Sequence, residues 1–175
     1  MLVRDATADD LPAIRGLYNA LIPTTTIAWR DELASEEEIT DWYAERTTRG
    51  DPVLVAELDG EVAGFTTWGS FRGGDRFPGY RHTVELTIHV DGRWHRQGVG
   101  RALLTALIER ARARQVHVLV AGIDADNGAS IDLHRAVGFV EVGRMPEVGR
   151  KHGRWLDLVL LQQVIGIRAV GDDGR

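Results

Sequence analysis

The N-terminal part of the chain contains two predicted helices, each opened by a capping-box sequence. After Thr7-Ala8-Asp9-Asp10, apolar residues recur at the helical spacing: Leu11, Ile14, Leu17, Tyr18 and Leu21. Pro23 is placed to end this helix. After Ser35-Glu36-Glu37-Glu38, a second helix carries apolar residues on one side and stops at Gly50: Ile39, Trp42 and Tyr43. A short strand beginning at Val3 precedes both helices.

Three strands are predicted between residues 52 and 90. Pro52–Leu58 and Glu61–Phe71 flank Asp59-Gly60, a pair that supplies the positive φ angles of a two-residue hairpin turn. In Thr83–Val90 every second residue is apolar, which is the period of a strand. The segment Phe71–Arg81, rich in glycine and proline, predicts the loop between the second and third of these strands.

The second half of the chain continues with helix and strand in alternation. Val99–Arg114 has the period of an amphipathic helix, Val116–Ile123 is a mostly apolar strand, and Asn127–Val137 is a shorter helix ended by Gly138. Residues 139–145 and 155–161 predict the last two strands. The order β-α-α-β-β-β-α-β-α-β-β is typical of an α/β or α+β protein with helices on both sides of one sheet.

Composition limits the class of protein. A chain of 175 residues with 43% hydrophobic residues predicts one domain, residues 1–165, followed by a polar tail at residues 166–175. The net charge of −5 argues against whole-surface attraction to nucleic acid or to a membrane. Without cysteine the chain has no disulfides, no thiolate zinc ligands and no cysteine nucleophile. Because the N-terminus lacks a signal-peptide pattern, we expect a soluble, cytoplasmic protein.

One glycine-containing segment is suited to bind phosphate. Arg96-Gln97-Gly98-Val99-Gly100-Arg101 lies between a strand and an amphipathic helix, where backbone N–H groups and the helix dipole converge on an anion. Arg96 and Arg101 would add positive charge at its rim. Leu103 takes the place of the third glycine of a dinucleotide fingerprint, and no Lys-Ser or Lys-Thr follows Gly100 as in a Walker loop. The alternative is a simple turn before a helix.

Several motifs, taken together, resemble a known family. The residues from Ile88 to Val90 and from Arg93 to Leu104 resemble the acetyl-CoA signature of the GNAT superfamily of N-acetyltransferases. More narrowly, the chain resembles the phosphinothricin and methionine sulfoximine acetyltransferase group at Trp29, Val84-Glu85, Gly98-Val99-Gly100, Asn127, Ser130, Leu133-His134, Gly138-Phe139 and residues 151–157. This resemblance runs from about Val3 to Gln162. It implies the GNAT fold, a central, mixed, mostly antiparallel sheet with helices on both faces.

The resemblance also implies acetyl-CoA as co-substrate and residues that bind it. The backbone of Ile88, His89 and Val90 would pair with the pantetheine amides, as a strand edge pairs with an added peptide. The loop from His95 to Arg101 would hold the pyrophosphate. Asn127 caps the following helix, hydrogen-bonds the pantetheine arm, or does both, with Ser130 beside it. The chain departs from the family pattern at His89, where the group usually has Tyr, and at His95, where Gln or Arg is usual.

Two residues are candidates for the chemistry. Glu85 lies in an apolar strand, where a carboxylate is costly unless it is paired, hydrated or protonated, so it is the candidate base. Alternatively, Glu85 lies on the polar face of a half-exposed strand and has no catalytic role. His134 titrates near neutrality and could deprotonate an ammonium or return a proton to a thiolate; a packed or surface histidine is the alternative. The resemblance supports the catalytic role for both residues and leaves acid or base open for His134.

Acceptor binding is predicted at the loop before the Glu85 strand. Arg72 or Arg81 could bind an amino acid's α-carboxylate through two hydrogen bonds, or either could be a solvated loop charge. Trp29 and Phe71 could wall the pocket, or could fill a core or a subunit interface. The six histidines show no paired helical spacing, and we predict no metal site.

These observations lead to three functional hypotheses. The first is an acetyl-CoA-dependent N-acetyltransferase acting on the α-amine of a small amino acid or analogue, such as methionine sulfoximine or phosphinothricin, by direct attack. The second is acetylation of another amine, on a peptide N-terminus or an antibiotic. The third is a CoA-binding regulatory module without turnover. The late strands resemble a part of the family that packs against a twin subunit, so we expect a homodimer with Trp155 as a buried anchor.

Overall fold

The computed structural model describes residues 1–73 and 76–166, so the predicted tail beyond Gly166 lies outside the described residues. The strands are β1 (Leu2–Asp5), β2 (Val53–Leu58), β3 (Glu61–Ser70), β4 (Thr83–Val90), β5 (Val118–Asp124), β6 (Val140–Lys151) and β7 (Arg154–Val164). The helices are α1 (Leu11–Leu21), α2 (Glu36–Arg49), α3 (Val99–Ala113) and α4 (Gly128–Ala136). Short 3-10 turns cover residues 8–10, 78–80 and 92–94.

The seven strands form one sheet in the order β1-β2-β3-β4-β5-β7-β6. Neighbouring strands are antiparallel except β4 and β5, which are parallel and connected through α3. The predicted element order and the mixed, mostly antiparallel sheet with helices on both faces are therefore confirmed.

Local sequence signals account for most element boundaries. The Ser35 hydroxyl accepts a hydrogen bond from the Glu38 amide at 3.1 Å, and α2 ends at Gly50 with a left-handed φ of 73°. The turn residues Asp59 and Gly60 both have positive φ, at 52° and 82°. The Thr7 capping box is also present, although it opens the 3-10 turn that leads into α1.

The last hairpin is longer than predicted. The sequence pattern ended the sixth strand at Met145, but β6 continues to Lys151 and pairs with β7 back to Arg154. An irregularity between Met145 and Gly149 interrupts the register, and there the Glu147 amide donates to Asp157 Oδ1 at 2.9 Å. This bulge shifts the alternation of inward and outward side chains. A period-two pattern in the sequence therefore does not predict that the strand continues past Met145.

Each face of the sheet has its own hydrophobic core. Under α3 and α4, the core contains Trp68, Leu103, Leu104, Leu107 and Leu119, and the β4 residues Val84 and Leu86 point to this side. Under α1 and α2, a smaller core contains Ala6, Ile14, Val53, Val55 and Phe65. Glu85, Thr87 and His89 alternate with the first set and therefore point to the α1/α2 face. None of the helices in the described part of the chain combines the length and the hydrophobicity of a transmembrane helix.

The sheet opens between its two parallel strands. Pairing between β4 and β5 covers Thr83 to Glu85 against Val118 to Val120 and does not continue within the described residues. Beyond Glu85, β4 pairs with β3 on one side, and β5 pairs with β7 on the other, so the edges that face each other are left for another partner. This opening leads from Glu85 toward the segment that starts α3.

Candidate active site

Glu85 lies at the last paired position before β4 and β5 separate. Its side chain leans toward β5, where an added Cβ on Gly122 would lie 3.3 Å from Glu85 Oε1. The side chain is exposed to solvent and has no hydrogen-bond or ion-pair partner among the residues that the structure describes. Desolvation by the surrounding sheet nevertheless raises the pKa of its carboxyl. An accessible, unpaired carboxyl with a raised pKa is suited to exchange protons with a bound amine.

Arg46 lies on the same face and is a residue that the sequence pattern did not single out. Its guanidinium covers Gly69, where an added Cβ would lie 2.8 Å from Nη2 and 3.3 Å from Nη1. Gly69 is the β3 partner of Glu85, so the two residues point to the same side of the sheet. The Arg46 side chain is 19% exposed, and its nearest acidic group is Glu45 at 3.5 Å.

His134 lies on the buried side of α4, with 1% of its surface exposed. Its Nδ1 donates to the Ser130 carbonyl at 2.8 Å, and its ring packs edge-on against Phe139. Nε2 is consequently the unprotonated nitrogen of the neutral ring, and it has no partner among the described residues. Burial lowers the pKa of the imidazole. No described contact joins His134 to Glu85.

His89 fills a gap among aromatic side chains on the α1/α2 face. Its ring lies 5.5 Å from that of Tyr18 and 5.3 Å from that of Phe65, measured between centroids. Burial lowers the pKa of His89 to about 4, so the ring is neutral at physiological pH. The side chain is part of the packing of α1, and the backbone of Ile88–Val90 faces the opening between β4 and β5.

The predicted phosphate loop forms the N-terminus of α3. Gly98 precedes the helix with a left-handed φ of 84°, and an added Cβ would meet no atom within 4 Å. The first-turn amides from Val99 to Arg101 have no acceptor within the helix, so they are free for an anion. Arg96 and Arg101 are exposed and have no ion-pair partner among the described residues. The site is an open, positively charged helix terminus.

Gly100 serves helix packing. An added Cβ on Gly100 would lie 2.8 Å from Leu133 Cδ2 of α4 and 3.7 Å from Val90 Cγ2. A larger residue at Gly100 would therefore clash with α4, so substitutions at Gly98 test phosphate binding more cleanly. His95 Nε2 contacts the Val90 carbonyl at 3.1 Å, which ties the loop to the end of β4.

The chain was compared with known proteins. Residues 14–139 match the model of the acetyltransferase (GNAT) family. The L-methionine sulfoximine/L-methionine sulfone acetyltransferase of Pseudomonas aeruginosa is 44% identical over 161 residues, which cover 91% of this chain and 92% of the relative. This chain belongs to the GNAT acetyltransferase family.

Two solved structures resemble the acetyltransferase along nearly its whole length. The ribosomal-protein-alanine N-acetyltransferase of Brucella melitensis has a TM-score of 0.91 and 46% identity, covering 94% of this chain and 100% of that one. The phosphinothricin acetyltransferase of Sinorhizobium meliloti, solved in complex with acetyl-CoA, has a TM-score of 0.90 and 34% identity, covering 94% and 88%.

The residues of this acetyltransferase fit acetyl-CoA. The open edge of β4 would offer backbone groups to the pantetheine amides, and the amides after Gly98 would offer donors to the pyrophosphate. The unpartnered Nε2 of His134 is a further buried acceptor near α4. Asn127 Oδ1 accepts from the Ser130 amide at 3.1 Å, so the predicted helix cap is present. No group of three or more His, Asp or Glu side chains that could hold a metal occurs within residues 1–73 and 76–166.

The predicted acceptor residues lie in two loops of the acetyltransferase. Phe71 packs edge-on against Tyr80 at 5.5 Å between centroids. Arg72 is exposed with a φ of 48°, and Arg81 is exposed and donates to the Pro78 carbonyl at 3.1 Å. Neither arginine contacts Glu85. Trp29 is 37% exposed and lies against Gly149 of β6, where an added Cβ would come within 2.5 Å of its ring.

A buried lysine fixes the loop that carries Trp29. Lys151 is 4% exposed, and its Nζ donates to the carbonyls of Ile22 at 2.6 Å and Ala28 at 2.5 Å. Both carbonyls belong to the connection between α1 and α2. The end of β6 thus fixes the connection between α1 and α2, the two helices that pack on the Glu85 face of the sheet. The local sequence around Lys151, the single lysine of the chain, does not predict that its side chain is buried.

Proposed function

We propose that this enzyme transfers an acetyl group from acetyl-CoA to the α-amine of a small amino acid or analogue of the methionine sulfoximine and phosphinothricin type. The observation that carries the proposal is the unpaired Glu85 carboxyl at the point where β4 and β5 separate. The names of the Pseudomonas and Sinorhizobium relatives support this class of acceptor.

Glu85 takes the proton from the acceptor's ammonium, directly or through a water. Its raised pKa makes the carboxylate a stronger base than an ordinary glutamate, and its exposure allows the proton to pass to solvent. The neutral amine then attacks the thioester carbonyl of acetyl-CoA, the C–S bond breaks, and CoA leaves as a thiolate that is neutralised by the proton the amine nitrogen loses as the amide forms. Because the neutral amine is itself the nucleophile, no covalent enzyme intermediate is needed.

His134 acts through its unprotonated Nε2. Since Nδ1 donates to Ser130 and burial lowers the pKa, the neutral ring can accept a proton or a hydrogen bond but has none to give at Nε2. This favours the acceptor role over that of a general acid. Arg72 and Arg81 contribute positive charge at the mouth of the site, and Trp29 and Phe71 wall it.

An acceptor panel tests the proposed function. Thiol release from acetyl-CoA is measured with L-methionine sulfoximine, L-methionine sulfone, phosphinothricin, the free amino acids, an aminoglycoside and a peptide with N-terminal alanine. We expect the highest kcat/KM for the first three. Turnover of the peptide or the aminoglycoside alone would refute the small-acceptor proposal, and binding of CoA without turnover of any amine would indicate a regulatory module.

A homodimer in the cytoplasm completes the proposal. Strand β6 forms an edge of the sheet with exposed apolar side chains at Val140, Val142, Met145 and Val148. Trp155 on the adjacent strand is 59% exposed in the single chain. An apolar edge strand of this length favours association with a second copy. Sedimentation at high micromolar concentration should give a dimer; a monomer would contradict this part of the proposal.

A further inference from the structure

We infer that Arg46 binds the α-carboxylate of the acceptor inside the site, an inference that rests on the proposed acetylation of amino acids. Helix α2 points Ile39, Trp42 and Arg46 toward the sheet at spacings of three and four residues. Ile39 is buried and Trp42 packs on the core of the α1/α2 face, and Arg46 reaches the sheet beyond that core.

Glycine at position 69 leaves the space that the Arg46 guanidinium occupies. Nη2, Cζ and Nη1 of Arg46 would lie 2.8, 3.1 and 3.3 Å from an added Cβ, so the guanidinium occupies the space of that side chain. Facing side chains on paired strands start about 4.5–5.5 Å apart, so the guanidinium over Gly69 lies about one strand spacing from the base of the Glu85 side chain.

No residue in the described part of the chain accepts a hydrogen bond from the Arg46 guanidinium, whose ion pair is with Glu45. Nε is buried and has no partner in residues 1–73 and 76–166. The contact with the largely exposed Glu45 is a 3.5 Å ion pair, longer than a charge-assisted hydrogen bond. A mostly buried guanidinium with free donors is suited to a carboxylate, which can accept two parallel hydrogen bonds from it.

The geometry also matches the shape of an amino acid. Glu85 leans toward Gly122 on β5, away from Arg46, so the two charged groups are separated by roughly 5–10 Å, one to two strand spacings. The α-amine and α-carboxylate sit on one carbon, and each hydrogen bond takes up about 2.7–2.9 Å. An amino acid therefore bridges the gap with its carboxylate on Arg46 and its amine toward Glu85, directly or through a water. An amine without a carboxylate would interact with Glu85 but not with Arg46.

Discrimination between an acid and its amide tests the inference. The probes are L-methionine sulfone and its carboxamide, and the measured quantity is the ratio of their kcat/KM values. We expect Arg46→Gln to lower this ratio by about 10- to 100-fold, mainly through the KM of the acid. Glu45→Gln is the matched control: it removes the neighbouring ion pair and should leave the ratio unchanged. Arg46→Lys, which keeps the charge and loses the planar fork, should give a smaller loss and serves if Arg46→Gln does not fold.

The outcomes separate this inference from the proposed function. An unchanged ratio in folded Arg46→Gln or Arg46→Lys, or an equal loss in Glu45→Gln, overturns the role of Arg46 while amino acid acetylation stands. A loss confined to Arg72→Gln or Arg81→Gln moves the anchor to the β3–β4 loop and also overturns it. A wild-type enzyme that acetylates only peptides refutes the proposed function itself.

Discussion

Replacing Lys151 by methionine should destabilise the fold although it keeps the length of the side chain. The Nζ of this buried lysine donates to two carbonyls of the α1–α2 loop. Hydrogen bonds that involve a charged group contribute about 1.5–3 kcal/mol each, and the change also leaves two carbonyls without their donor. Methionine regains part of this through its buried thioether. We therefore expect the free energy of unfolding to fall by about 2–5 kcal/mol.

Urea unfolding followed by tryptophan fluorescence measures this loss. The control is Arg150→Met, which changes the exposed neighbour whose guanidinium lies 5.5 Å from the centre of the Trp155 ring. A surface cation–π contact contributes about 0.5–1 kcal/mol, so the control should lose no more than that. If Lys151→Met loses as little as Arg150→Met, the two hydrogen bonds do not stabilise the loop and the reasoning is wrong.

Three further predictions follow from the site and its surroundings. Glu85→Gln should lower kcat about 10²–10⁴-fold at neutral pH. The wild-type rate should rise as pH increases through the raised pKa of Glu85, and the variant should lack this rise. A normal rate of the variant at pH 7 would exclude Glu85 as the base. Gly98→Ala should weaken acetyl-CoA binding about 5- to 30-fold in calorimetry because of its left-handed φ, whereas Gly92→Ala should not; equal affinities would remove Gly98 from the phosphate site. The side-chain hydrogen bond from Arg4 lowers the pKa of Asp10 to about 2, so its carboxylate stabilises the fold above its unfolded pKa of about 3.9. Asp10→Asn should therefore destabilise the protein at pH 7, with the difference shrinking as pH falls from about 5 toward 2; a constant difference would contradict the assignment.

Local patterns predicted the elements because their causes are local. The Asp59-Gly60 turn, the Ser35 cap and the alternation of Thr83–Val90 each depend on a few neighbouring residues, and all three are confirmed. The bulge before Gly149 depends on a bond to Asp157 across the hairpin. A period-two pattern within one strand does not contain that information.

The residues of the candidate site also fall into two groups, those that can be predicted from their own segment and those whose position depends on another element. Glu85 and the loop around Gly98 could be predicted as site residues because a carboxyl in an apolar strand and glycines before a helix are signals within their own segments, and the family resemblance includes both. Arg46 was missed because an arginine near the end of a polar helix has the pattern of a solvated charge, and its position depends on Gly69 in another element. The packing role of Gly100 depends on Leu133 in α4 in the same way.

The short parallel contact between β4 and β5 divides the hydrogen bonding of the sheet into two ladders. Strands β1 to β4 form one antiparallel unit and β5 to β7 form another, joined by three residue pairs and by α3. Substrates bound in the opening between β4 and β5, as proposed, would contact both units. The binding energy of such a substrate would stabilise the contact between the two units. We therefore expect acetyl-CoA to raise the melting temperature of the whole domain.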